Sequence, residues 1–217
     1  LPEYSDMESA LLRDTIRSIE PPDPTLASDA QRRLDSLTKP VGSLGALEEI
    51  ACRLVTATGR QQPRFQERRV LVFAADHGVT EEGVSAYPSE VTGQMALNFL
   101  AGGAAINVLA AHARAKVIVI DVGIAADLGN PDGLVVRKIA RGTRNMRVEP
   151  AMPRSEAVAA IHVGIDLANR EMDAGADMLA MGKMGIGNTT AATAITAAVT
   201  GRAVADLTGT GTGIDAR

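Results

Sequence analysis

The chain has 217 residues, 46% of them apolar and only 2% aromatic, with no Trp and a formal net charge of −4. That length suffices for one α/β domain with a small helical appendage, and an Ala, Val, Leu, Ile and Met core suits helices on a parallel sheet better than an aromatic-rich sandwich. The acidic balance argues against a nucleic-acid platform, and the single cysteine, Cys52, excludes an intrachain disulfide framework and a cysteine-based zinc cluster.

Cys52 reads as a small core hydrophobe and fits a reducing compartment. No basic segment followed by an apolar one opens the chain, and no apolar run approaches the ~18 residues of a membrane span. A cytoplasmic protein with no membrane and no nucleic-acid partner is the expectation.

Residues 7–19 read as a helix with Leu11, Leu12, Ile16 and Ile19 as its apolar positions, ended by Pro21-Pro22-Asp23-Pro24. Residues 28–37 read as a short polar helix. Lys39-Pro40-Val41-Gly42-Ser43 forces a turn, with Ser43 as N-cap. Leu47, Ile50, Ala51 and Leu54 then mark one helix face, with Glu48, Glu49 and Arg53 outside. A polar loop over 59–69 follows. The run Val70 to Ala75 reads as a parallel strand buried on both faces and ended by Asp76-His77-Gly78. Ligands of open parallel sheets bind at the carboxyl ends of strands, so that tripeptide lies where chemistry would be.

Residues 81–88 read as a loop, and 91–100 and 103–112 as helix interrupted at Gly102-Gly103. Lys116 to Val122 is a second strand and 135–140 a third. A helix spans 155–174, with Val158, Ile161, Ile165, Leu167 and Ala168 inward. Met178 to Met181 is a strand, turned through Gly182, Gly185 and Gly187 into a helix over 189–200. Asp206 to Gly213 is a second glycine-threonine turn. The β-α alternation implies a doubly wound parallel sheet with helices on both faces. Two domains are expected, a helical lobe over 1–65 and a Rossmann-like α/β domain over 66–217.

The stretch Asp177 to Thr190, DMLAMGKMGIGNTT, carries the most chemistry. Strand, glycine turn and helix N-terminus in that order form an anion site, because the first helix amides have no intrahelical partner and the dipole favours negative charge. Gly185-Ile186-Gly187 lacks the third glycine of the dinucleotide fingerprint, and Gly182-Lys183 is followed by Met184 rather than the Ser/Thr of a P-loop. What survives is a monophosphate cradle, or only a helix start after a tight turn. Asp76-His77 resembles half a metal site without the supporting cluster, and His112 and His162 read as helix-surface histidines. Ser85 fails the nucleophile-elbow pattern and reads as a binding hydroxyl. Tyr87, fixed by Pro88, could stack on a planar heterocycle or simply anchor its loop. The bases Arg137, Lys138, Arg141, Arg144 and Arg147 cluster as a solvated edge.

These motifs form one ordered set: 37–45 (LTKPVGSLG), 74–79 (AADHGV), 83–88 (GVSAYP), 91–95 (VTGQM), 98–107 (NFLAGGAAIN) and 184–190 (MGIGNTT). The set resembles the nicotinate-nucleotide–dimethylbenzimidazole phosphoribosyltransferases of cobalamin lower-ligand synthesis, from about Leu34 to Asp215. The resemblance implies a three-layer α/β/α fold with a small helical lobe, and a homodimer. It implies transfer of the phosphoribosyl group of nicotinate mononucleotide to a benzimidazole nitrogen, giving α-ribazole 5′-phosphate and nicotinate with inversion, and no metal or cofactor. Asp76 is carried over as a substrate-binding residue. Lys183, Gly185, Gly187, Asn188, Thr189 and Thr190, with Gly209, Gly211, Thr212 and Gly213, would hold the phosphate and leaving side. Ser85, Tyr87 and Gln94 would line the planar base pocket.

Two departures from the family pattern stand out. The family turn usually reads Gly-Glu-Met-Gly, and position 183 is Lys here. The family's general-base glutamate lies in a turn beyond Arg217, so the chain is expected to be C-terminally incomplete, no catalytic residue is assigned, and weak binding with little turnover is expected. A catalytically silent nucleotide- or benzimidazole-binding relative, or a transferase using another aromatic acceptor, stays open beside the first reading.

Overall fold

The computed structural model describes residues 10–209. They fall into two units, with the boundary between Gln66 and Glu67.

The first unit holds α1 (Ala10–Arg17), α2 (Thr25–Asp35) and α3 (Ala46–Thr58), with α2 packed on α3. The buried face of α3 is not the expected one. Leu47 and Ile50 are exposed, while Glu48 and Val55 are buried. Glu48 turns inward because it holds the preceding turn together. Its Oε1 accepts from Lys39 Nζ at 2.8 Å and from the Leu44 amide at 3.1 Å, and its Oε2 from Gln31 Nε2 at 3.4 Å. These charge-assisted bonds hold the Glu48 carboxyl below the usual carboxylate range, the Lys39 bond first. Ser43 is not the N-cap: the helix starts after Gly45, with no side-chain cap. Cys52 is half-buried beside Gln31, its thiol donating to Oε1 at 3.6 Å.

The second unit is a four-stranded parallel sheet in the order β3-β2-β1-β4, made of β1 (Arg68–Ala75), β2 (Ala115–Gly123), β3 (Leu134–Val136) and β4 (Met178–Met184). Alternation along β1 and β2 builds two cores. Val70, Val72, Ala74 and Val119 pack with Ala96 and Phe99 of α4 (Val91–Leu100) and Ala110 of α5 (Ala105–His112). Leu71, Ile118 and Ile120 pack with Leu167 of α6 (Arg154–Asp173) on the opposite face. The result is three layers, α/β/α, around strands buried on both sides. Each fully buried aliphatic here contributes roughly 1.5–3 kcal/mol. Within α6, Ile161 is exposed, and the inward stripe runs through Val163 and Leu167 instead.

The stretch Val91–His112 is long and apolar enough to cross a membrane, contrary to the sequence reading. It folds as two helices, α4 and α5, separated by the turn at 101–104, and supplies Ala96, Phe99, Ala104 and Ala110 to the first core.

Both strands that carry site motifs run longer than the sequence suggests. β4 continues through Gly182 and Lys183 to Met184, because each residue pairs in register with β1 up to Ala74. Gly182 is therefore strand rather than turn, and Met184 joins the α4-side core. After β4 come α7 (Asn188–Thr200) and the short α8 (Val204–Leu207), which takes in Asp206, expected in a turn. The remainder of that turn from residue 210, with Gly211, Thr212 and Gly213, lies outside the described residues.

Candidate nucleotide site

Sequence order and spatial order diverge at one place in the sheet. From β1 the chain passes to β2 and β3 on one side, then returns to β4 on the other. The carboxyl ends of β1 and β4 therefore lie side by side at a topological switch point, where open α/β sheets form their ligand crevice. Asp76-His77-Gly78 leaves β1 there, and Gly185-Ile186-Gly187 leaves β4.

The β4 corner is shaped by close contacts. A Cβ on Gly185 would stand 2.1 Å from the Ala75 carbonyl oxygen and 3.1 Å from Cδ2 and Nε2 of His77. Gly187 has φ +82°, a left-handed conformation that glycine adopts without a side-chain penalty. Ile186 N–H donates to Oγ1 of Thr92 at 3.1 Å, and Thr92 on α4 is completely buried. These contacts set the corner before any ligand arrives.

α7 starts at Asn188. Its amide donates to Gly185 O at 3.1 Å and that of Ala191 to Gly187 O at 3.3 Å. The amides of Thr189 and Thr190, in the same first turn, have no partner among the described residues, as the geometry of a helix start requires. Lys183, exposed on β4, donates from Nζ to Asn188 Oδ1.

In front of the corner lies a cavity of about 370 Å³ lined by Val84, Ser85, Tyr87, Val91, Met95, Met184, Gly185, Ile186, Gly187, Asn188 and Thr189. Among the residues singled out from sequence, Ser85, Tyr87, Gly185, Gly187, Asn188 and Thr189 come together here. Gln94 is exposed and outside the lining, where its neighbour Met95 takes part. Lys183 and Thr190 adjoin lining residues in the chain without lining the cavity themselves, and Gly209 is exposed beyond α8. Ser85 Oγ accepts from the Tyr87 amide at 3.2 Å, which sets the loop that presents the half-exposed ring. The apolar wall of Val84, Val91, Met95, Met184 and Ile186 was not singled out from sequence. Its trace is that all five lie within the motifs at 83–88, 91–95 and 184–190, where apolar residues look like ordinary core.

Asp76 is 6% exposed, and its Oδ2 accepts from the Ala125 amide at 2.8 Å. It lies outside the cavity lining and fastens the end of β1 to the loop after β2. That loop is stiffened by Asp121, whose Oδ1 accepts from Gly123 and Ile124 and whose Oδ2 pairs with Lys138 at 3.2 Å. Lys138 and Arg141 also donate to the carbonyls of Ile124 and Ala125; Lys138 is half-buried, while Arg137, Arg141, Arg144 and Arg147 are exposed, as a solvated edge requires. His77 is held below its usual value, by burial first and by the Lys183 ammonium, with the Asp76 carboxylate opposing. Among the described residues no group of three or more His, Cys, Asp or Glu is placed to hold a metal ion.

The comparisons with known proteins agree with one another. The phosphoribosyltransferase family model DBI_PRT matches residues 19–217. A protein of Chloroflexus aggregans named nicotinate-nucleotide–dimethylbenzimidazole phosphoribosyltransferase is 58% identical over 206 residues, covering 95% of this chain and 58% of its own length. A protein of the same name from Geobacter metallireducens is 56% identical over 205 residues, covering 94% of this chain and 58% of its own. The crystal structure of CobT from Thermus thermophilus superposes with a TM-score of 0.84 at 50% identity, over 88% of this chain and 58% of that one. The chain thus spans 58% of the length of these curated relatives.

Proposed function

We propose, from the premise that this chain belongs to the DBI_PRT phosphoribosyltransferase family, that it moves the 5-phosphoribosyl group of nicotinate mononucleotide to 5,6-dimethylbenzimidazole. The products are nicotinate and α-ribazole 5′-phosphate, the nucleotide of the cobalamin lower ligand. The reading includes a cytoplasmic homodimer acting on small molecules, with no nucleic acid, membrane or cofactor.

The observation that carries it is the meeting of two unlike surfaces in one cavity at the switch point. One is a helix N-terminus behind a fixed glycine corner, suited to a phosphate monoester. The other is an apolar wall with the Tyr87 ring at its edge, suited to a planar aromatic acceptor. In the reaction the bond from the anomeric carbon to the nicotinate nitrogen breaks, and a bond to the benzimidazole nitrogen forms on the opposite face. Charge builds on the ribose in an oxocarbenium-like state. The chain's contribution is to hold donor and acceptor in line, which replaces a bimolecular encounter with an oriented one. Thr189 and Thr190 amides, with Lys183 behind them, anchor the phosphate. Val91, Met95 and Met184 set the plane of the acceptor. The acceptor's N–H proton goes to a base not assigned among these residues.

Lys183 favours a second reading. Its ammonium sits at the positive end of α7, where a cation is electrostatically disfavoured unless an anion joins it. That suits a protein that binds the nucleotide without turning it over. Nicotinate release from nicotinate mononucleotide, measured with a panel of benzimidazole and phenol acceptors, separates the readings. Acceptor-dependent release supports the transferase. Binding without release supports the silent relative, and neither binding nor release overturns both.

A further inference from the structure

Three ionisable side chains converge where β1 and β4 end: Asp76, His77 and Lys183. The His77 ring lies edge-on to the β4 corner, 3.1 Å from where a Gly185 Cβ would be. Its side chain makes no hydrogen bond among the described residues. Lys183 reaches the same corner from β4 through Asn188. We propose that the His77 ring, packed on the Gly185 corner, takes up a proton from solvent when a phosphorylated ligand binds at Gly185–Thr190, so that the imidazolium joins Lys183 as a second cation there. The inference rests on the phosphate reading above and adds a proton to it.

Burial is the first cause that disfavours the charged ring, and the neighbouring charges then act in opposite directions. Asp76 on its own strand end favours the imidazolium, and Lys183 on β4 opposes it. On the turn that follows, Glu82 is already engaged by Asn145 and Arg147, and Glu81 is exposed. Lys183 is therefore the local charge that a bound anion would most directly offset. A phosphate monoester carries about −1.5 to −2 charges near pH 7. Placed at the α7 amides it screens Lys183 and attracts a proton to the ring. An opposite charge within ~4–6 Å moves a titration midpoint by about 1–3 units. The proton forms an N–H bond at the imidazole and no other bond changes.

The chain has three histidines, His77, His112 and His162, so their C2–H resonances can be followed individually by NMR. The test titrates the protein with and without ribose 5-phosphate, with the signals assigned from His77→Gln, His112→Gln and His162→Gln. Backbone amide shifts report where the probe binds. With binding at Gly187–Thr190, the His77 midpoint should rise by about one unit or more, while the other two stay as references. Affinity should fall by up to about tenfold per pH unit between the free and bound midpoints. The phosphate's own second ionisation would release protons, the opposite sign, so the His77 resonance is the decisive readout. If the amides of Gly187–Thr190 shift and the His77 midpoint does not move, the inference is wrong and the phosphate reading stands. If the probe binds elsewhere or not at all, both are wrong. The wild-type titration decides the matter even should His77→Gln fail to fold, because the other two variants assign His77 by elimination.

Discussion

Gly185 and His77 occupy a space that leaves no room for a side chain on the glycine. The imidazole edge and the Ala75 carbonyl oxygen together fill the position of a Cβ, at 3.1 Å and 2.1 Å. The strand-end histidine of β1 and the glycine corner of β4 are thus a single packed feature, and the shape of the Gly185–Gly187 turn depends on it.

Gly185→Ala should therefore damage the corner. The ring can tilt away, but the Ala75 carbonyl is backbone in a central strand and yields little. A destabilisation of about 1–3 kcal/mol is expected from the forced shift, with nucleotide affinity falling by more than the stability loss explains. Thermal unfolding and calorimetric binding of nicotinate mononucleotide measure the two effects separately. Unchanged stability and affinity would show that the corner tolerates a methyl group.

Thr92 tests the same corner from α4. Its hydroxyl is the partner of the buried Ile186 amide, so Thr92→Val keeps the shape and orphans that amide. The cost is about 1–3 kcal/mol, read as a lower denaturant midpoint at constant slope. Thr92→Ser keeps the acceptor and should recover most of the loss.

Glu48 makes the first unit sensitive to acid. Its carboxyl is held below the ordinary range by Lys39 and the Leu44 amide. A group whose folded value is depressed stabilises above its unfolded value and stops doing so as pH falls through the folded one. Glu48→Gln should then unfold more easily than the parent near neutral pH. The gap should close progressively below the ordinary carboxylate range, as followed by helix content across an acid titration. A gap that is independent of pH would contradict this.

Parts of this molecule were plain in the sequence for physical reasons. β1 shows as a continuous apolar run because both its faces are buried. The Gly185–Thr190 corner shows because glycines and threonines at a strand end have few other uses. Other parts were hidden because local pattern carries no tertiary information. The buried face of α3 is hidden in the sequence because nothing in the periodicity says that Glu48 is drawn inward by the turn that precedes the helix. Gly182 reads as a turn in the sequence, and its in-register pairing with Val72, which keeps it in β4, is a tertiary fact that local pattern does not carry. Met95 and Met184 lie against the α4-side core and also wall the cavity, a double role that local pattern does not show. Of the clustered bases Lys138 alone is drawn in, and its partners, the Ile124 carbonyl and the Asp121 carboxylate, lie more than ten residues away in the chain.

The position of the phosphate in a crystal of this protein with nicotinate mononucleotide is the most direct test of the proposed site. Phosphoryl oxygens within hydrogen-bond distance of the Thr189 and Thr190 amides, with the ribose leading into the cavity walled by Tyr87, Met95 and Met184, are the predicted result. A phosphate bound anywhere else on the chain, with those amides still unpartnered, would contradict it.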